Sequence, residues 1–188
     1  MRWLLLAASL LAAPAWAYEL RTLSVRHQAQ DYLVSLDAEL AAPGPAVYAR
    51  LADFAALSAL NPSLRVLSLS PPSADGRQQL VSEAEFCLLG LCRVLRQSQQ
   101  LSSTASGDGG SIVGITEPPP ASDFQSGISR WTVTAIDDRR CRLRFEASLR
   151  PDFWLAPVFG PWMLERRLRE ETLITVQRLE SQAQARLP

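Results

Sequence analysis

Lysine is missing altogether: the 19 basic side chains are all arginine, balanced by 19 acidic ones to a formal net charge of zero. Without lysine there is no Schiff-base nucleophile and no P-loop lysine to grip a phosphate. A neutral chain also lacks the basic excess of a nucleic-acid binder, so no nucleic-acid partner is expected. One histidine and three cysteines are too few for a closed zinc site, and neither a metal nor a cofactor is expected. The lone His27 lies in a polar run, Arg26-His27-Gln28. It reads as a solvated side chain, with no Ser/His/Asp or Cys/His arrangement around it. What is present is 188 residues, 47% apolar and 20% charged. That is enough for one domain with a sizeable core, and too little for two ordinary ones.

The first 17 residues read as a secretory signal. Met1-Arg2 is a short positive start, Trp3 to Ala13 an apolar run, and Ala15-Trp16-Ala17 puts small residues where a signal peptidase cuts. The run is shorter than the roughly 20 apolar residues that span a bilayer. Cleavage after Ala17 and a periplasmic or secreted protein are expected, with no transmembrane segment remaining.

Export changes how the cysteines are read. Cys87 and Cys92 flank Leu88-Leu89-Gly90-Leu91, between two runs of strand composition, Gln79 to Phe86 and Arg93 to Leu101. Residues opposed beside a hairpin turn bring their Cβ atoms to about 3.5–4.5 Å, the separation a disulfide needs. In an oxidising compartment a Cys87–Cys92 bond is expected. Cys141 opens the alternation Cys141, Leu143, Phe145, Ala147, Leu149, which fits a small buried hydrophobe better than a reactive thiol.

Tyr32 to Leu40 alternates Val34, Leu36, Ala38 and Leu40 against Ser35, Asp37 and Glu39, a half-buried strand. Ala46 to Leu60 carries Val47, Leu51, Phe54 and Leu57 at helical spacing and ends at Asn61-Pro62. Strand-like runs follow near residues 64–69, 79–86, 91–101, 111–117, 124–136 and 140–149. Short turns join them, which implies antiparallel pairing. From Pro161 to about Leu179 the pattern is helical. Leu164, Leu168, Thr172, Thr175, Val176 and Leu179 share one sector, with Arg166, Arg167, Glu170, Gln177 and Arg178 opposite. Glu165 and Arg169 lie near its edge at i, i+4 spacing, either a surface ion pair or a polar fixture inside a cavity.

This order resembles that of the START-like (SRPBCC) helix-grip superfamily, which includes polyketide cyclases, coenzyme Q-binding proteins and lipid-transfer domains. The resemblance rests on Leu40 to Phe54, with Ala42-Pro43, Tyr48, Leu51 and Asp53-Phe54, and on Asn61-Pro62. It rests also on Asp123-Phe124-Gln125-Ser126-Gly127 leading to Trp131, and on Pro151 to Pro157 before Gly160 and the long helix. It implies an α+β fold: a bent antiparallel sheet of about six or seven strands around a long C-terminal helix, with two short helices after the first strand. The domain would run over 32–182, after a signal (1–17) and an extension of unassigned role (18–31) and before a tail (183–188).

The superfamily further implies a cavity between sheet and helix. Its expected lining is Phe86, Val94, Trp131, Val133, Leu143, Phe145, Leu164, Leu168, Thr172 and Thr175, with Glu165 if its side chain turns inward; ordinary core is the alternative for each. Phe153, Trp154 and Trp162 form either a lip or a plug at one end. Three functions follow. The first is carriage or sensing of a hydrophobic small molecule such as a lipid, quinone or isoprenoid. The second is a cyclase- or dehydratase-type enzyme. The third is an envelope interaction module with a filled cavity. No catalytic residue can be assigned, since only Glu165 is a candidate buried acid.

Overall fold

The computed structural model describes residues 18–185 except 89, 90 and 156, and the described set leaves out the side chains of 86, 88 and 91. The expected signal segment, 1–17, lies outside the described residues. Eight strands form one antiparallel sheet in the order β1-β2-β8-β7-β6-β5-β4-β3. They are β1 (Glu19–Gln28), β2 (Asp31–Leu40), β3 (Leu64–Leu69), β4 (Gln78–Leu88), β5 (Leu91–Ser106), β6 (Gly109–Thr116), β7 (Phe124–Asp137) and β8 (Arg140–Pro151). Helix α1 (Gly44–Leu51), a 3₁₀ turn (Phe54–Ala56) and α2 (Leu57–Leu60) follow β2, and α3 (Gly160–Gln184) closes the chain. Among the described residues no helix is long and apolar enough to cross a membrane.

The sheet has one more strand than the resemblance implied, because most of the 18–31 stretch is itself a strand. Residues Glu19 to Gln28 pair along Asp31 to Glu39 of β2. The final helix also extends five residues beyond Leu179, to Gln184. In β2 the inward set Tyr32, Val34, Leu36, Ala38 and Leu40 is buried to between 0 and 4% exposure. This is the period-two burial its alternation predicts. Cys87 and Cys92 are directly opposed in the β4–β5 ladder and form a disulfide of 2.06 Å. Cys141 is a buried free thiol; desolvation, aided by the charge of Glu180, pushes its pKa up to about 12, which leaves it unreactive.

β1 and β3 are opposite edges of the sheet. Laid flat, eight strands would hold those edges about 34 Å apart. Yet α3 reaches both: it binds Leu23 and His27 of β1, and Ser63 immediately before β3. A single helix about 10 Å wide can do that only if the sheet curls around it. Register shifts in β1, β3 and β7 supply bulges that increase bending. At the closed end, a Cβ on Gly44 would lie 2.2 Å from the Asp108 carbonyl oxygen, so only glycine lets α1 seat against the β5–β6 turn.

On the outer face, Asp37 takes two hydrogen bonds from Arg142 (2.8 and 2.5 Å) and Asp31 takes two from Arg150 (2.9 and 2.8 Å). These guanidinium hydrogen bonds hold both carboxyls below the ordinary aspartate value, against a smaller opposing effect of desolvation. A folded-state pKa below the unfolded one contributes stability above the unfolded value, about 3.9, that is lost as pH falls through the folded value. The thermal midpoint is therefore expected to drop as pH is lowered from 5 to below 3. Asp37→Asn should flatten that decline while lowering the midpoint at pH 7; an unaltered acid slope would show that the pair is not a source of it.

Candidate functional site

The two halves of α3 meet the sheet differently. Toward its C-terminus, Val176, Leu179 and Ala183 are sealed into a core with Leu36, Ala38, Leu40, Val47, Leu51, Cys141 and Leu143. Toward its N-terminus, Leu164 packs with Tyr32 and Leu95, joined by half-buried Phe124, Phe153, Leu155 and Leu168. Between these clusters the helix stands off the sheet.

The space beneath it consists of three adjoining chambers of about 190, 280 and 170 Å³. The first lies by Tyr32, Leu95, Phe124 and Leu164, and the second by Trp131, Phe145, Ala147 and Thr172. The third runs to Leu51, Phe54 and Ile112. Asn61 and Leu64 border all three, so the chambers lie side by side along the helix as one tunnel-like space. Small residues (Ser82, Ala84, Ser129 and Ala147) leave its floor open, and Trp131 stacked on Phe145 (centroids 4.0 Å apart) walls the middle. Taken together, the chambers fall in the range of about 300–1,000 Å³ that holds drug-sized ligands.

Six of the expected lining residues meet at this tunnel: Trp131, Phe145, Leu164, Leu168, Thr172 and Thr175. The two threonine hydroxyls donate back to the carbonyls of Leu168 and Glu171 at 2.7 and 2.8 Å, a local bond available to any helical threonine. Val133 and Leu143 sit elsewhere. They are opposed in the β7–β8 ladder and belong to the sealed core, at 3% and 0% exposure. Val94 is 55% exposed, because Leu95 holds the inward phase of β5 and a one-residue step reverses the face. Phe86 lies in β4, and its side chain is outside the described set.

Glu165 does not border the tunnel. Its Oε1 accepts the His27 backbone N–H at 2.7 Å, while Arg169 donates to the Leu23 carbonyl at 3.1 Å. Both members of the expected i, i+4 pair instead bind β1, whose unpaired edge groups are the nearer partners. Leu155 packs inward at this end of the domain, but Trp154, Val158 and Trp162 are exposed at 78, 92 and 59%. Phe153 is half-buried, against Phe124 and beneath the Arg93 guanidinium.

The polar groups of the tunnel come from elsewhere. Arg167 donates to Ser63 Oγ at 2.9 Å and pairs with Glu171 at 2.5 Å; Ser63 Oγ in turn donates to Glu171 Oε1 at 2.9 Å. Asn61 accepts the Ser63 N–H at 2.9 Å through Oδ1, which fixes this corner. Among the described residues, the other Glu171 oxygen, Oε2, and the Tyr32 hydroxyl are buried with no hydrogen-bond partner. Burial, helped by the charge of Glu165, raises the Tyr32 phenol above its ordinary value, so it remains a proton donor at neutral pH. Tyr32 could have been found from the sequence, since it shares the inward phase of Val34 and Leu36. Arg167 and Glu171 could not, because the α2–β3 connection crosses that flank of the helix and turns an outward sector into an inner one.

No family model matches the sequence, and no curated protein matches it significantly. Solved structures do match. An aromatase/cyclase from Streptomyces sp. R1128 superposes with a TM-score of 0.66 at 15% identity, covering 84% of this chain and 96% of that one. A STAR-related lipid transfer protein from Xanthomonas axonopodis gives 0.62 at 13% identity, covering 86% and 98%. A START superfamily protein from Mycobacterium smegmatis gives 0.61 at 19% identity, covering 81% and 97%. With the element order, the curled sheet and the tunnel under α3, these neighbours identify the architecture as the START-like helix-grip fold.

Proposed function

We propose that this protein is an exported carrier or sensor of a hydrophobic small molecule, held in the tunnel between the sheet and the N-terminal half of α3. The row of adjoining chambers carries this reading. It is lined mainly by apolar side chains, leucines foremost, and is larger than a packed interior tolerates, since native cores contain few voids bigger than a water molecule. Open volume of this size favours a binding role over an interaction module with a filled cavity. A STAR-related lipid transfer protein shares the fold, which supports a lipid-like ligand.

Binding is favoured over catalysis on chemical grounds. Glu165, the acid available to a cyclase-type mechanism, is engaged by β1 backbone. Two carboxylates border the tunnel: Glu171 is paired with Arg167 and so poorly suited to move a proton, and Glu85 is an exposed residue of β4. Export rests on the N-terminal apolar segment and is supported by the Cys87–Cys92 disulfide, a bond that persists in oxidising compartments.

Solvent extraction and mass spectrometry of protein purified from its native envelope should release one apolar compound in near-stoichiometric amount. N-terminal sequencing of the same sample should begin at Tyr18. Recovery of protein that carries no extractable compound and does not bind pyrene would overturn the carrier role; a Met1 start would overturn export.

A further inference from the structure

Strand β5 interrupts its own inward pattern. Leu95 and Leu101 are buried at 6% exposure each, but the two inward positions between them are the half-buried Gln97 and Gln99. Neither lies on an edge strand, since β4 and β6 flank β5. Burying an amide that is not fully hydrogen-bonded costs free energy that leucine at the same place would not. Two of them in one strand phase mark a stretch that serves something besides apolar packing.

Their side chains converge. Gln97 Nε2 donates to Thr116 Oγ1 of β6 at 2.9 Å, and Gln99 Nε2 lies 3.5 Å from the same oxygen. A Cβ placed on Gly114 would sit 3.5 Å from Gln99 Nε2 and 2.8 Å from Ser129 Oγ, so these two groups overhang one glycine. Ser82, opposite Gln97 in the β4–β5 ladder, extends the row. A polar band thus crosses the floor of the tunnel from β4 to β7. Gln97 and Ser82 border the first and second chambers, and Gln99 and Ser129 the second and third. The floor is apolar on either side of the band: Leu95 and Phe124 toward the first chamber, Leu101 and Ile112 toward the third.

Each amide uses one N–H on Thr116; its second N–H and its carbonyl oxygen have no partner among the described residues. These side chains border the chambers, so a molecule inside can meet them. All are neutral. They can exchange hydrogen bonds with a hydroxyl or a carbonyl, but cannot compensate an ion taken out of water.

We propose, building on the carrier reading, that the tunnel selects an uncharged molecule with a hydroxyl or carbonyl in the middle of an apolar body. That group sits on Gln97 and Gln99, with an apolar arm in each flanking chamber. A molecule with the same group at its end either sets it against the apolar floor or leaves one flanking chamber empty.

Isomers test this, because they share composition and differ only in where the oxygen lies. Competition against pyrene, which has no polar atom, is measured for 6-undecanone and 2-undecanone, and for 6-undecanol and 1-undecanol. In each pair the mid-chain isomer is expected to displace pyrene at about fivefold lower concentration, the contribution of one neutral hydrogen bond. In a double variant carrying Gln97→Met and Gln99→Met the ratio should fall to about one. Pyrene should bind that variant at least as tightly, because apolar stems of similar length replace the amides. Equal competition within either pair, or a preference that survives the double substitution, overturns the assignment of the polar band while the tunnel reading stands. Failure of pyrene to bind the unmodified protein overturns both.

Discussion

An Ala147→Phe variant is expected to lose its apolar ligand and keep its fold. Ala147 lies on β8 opposite Val34 of β2 and Ser129 of β7, and its methyl group borders the central chamber of about 280 Å³. Phe145 and Leu149 share its phase along the strand and border the same chamber. A benzyl group there projects beneath Leu168 and Thr172 and cuts the tunnel in two. The remaining chambers, about 190 and 170 Å³, are each smaller than the roughly 300 Å³ at which drug-sized pockets begin. Pyrene affinity and retention of an extracted ligand should fall by about 100-fold or more, since the ligand loses its volume and not merely one contact. Stability should change little: burying a phenyl ring contributes about 1.5–3 kcal/mol, and tight insertion costs about 1–3 kcal/mol. Fluorescence titration alongside thermal unfolding checks both halves of the expectation. Undiminished binding would place the ligand somewhere other than under α3. Should the ring prove too large to fold around, Ala147→Leu narrows the same passage with less strain.

Some of this geometry was legible from residue order alone, and the reasons differ by element. The β2 alternation, the opposed pair Cys87 and Cys92, and the apolar stripe of α3 are local patterns, each contained in one strand, one hairpin or one helix. The stripe also named Leu164, Leu168, Thr172 and Thr175, which do border the tunnel. What the stripe could not show is that its two halves differ, since Val176 and Leu179 have the same apolar character as Leu164 and Leu168. The distinction comes from what lies opposite: α1 and β2 close on the C-terminal half, while Ser82, Ala84, Ser129 and Ala147 leave space under the rest. β1 was missed because its side chains are mostly polar and exposed on this edge strand, so Leu23 and Val25 make a weak alternation. Val94 and Glu165 were misplaced by a phase of one residue in a strand and by the helix edge that β1 came to cover. Both errors arise where a neighbour in space, and not in sequence, decides which face is inside.

The sealed half of α3 can be tested separately. Glu180 is 4% exposed, and its Oε1 accepts the Ala41 backbone N–H at 2.7 Å; one turn later, Gln184 donates to the Ala41 carbonyl at 2.9 Å. Both polar groups of one residue at the β2–α1 corner are thus held by side chains i and i+4 of the last helix. Glu180→Ala leaves the half-buried Ala41 N–H unpaired and opens a void beside Cys141 and Leu179. The expected cost is about 2–3 kcal/mol, the size of a hydrogen bond to a charged group together with the lost packing of the buried stem. At this chain length that lowers the thermal midpoint by about 4–12 °C. Glu180→Gln keeps an acceptor oxygen in place and should recover most of the loss. Because Glu180 borders none of the three chambers, pyrene affinity measured well below the lowered midpoint should stay within about twofold of the unmodified protein. A Glu180→Ala variant that lost pyrene binding along with stability would show instead that the solid half of the helix sets the height of the open half above the sheet, and that anchoring and binding are one property of the same rod.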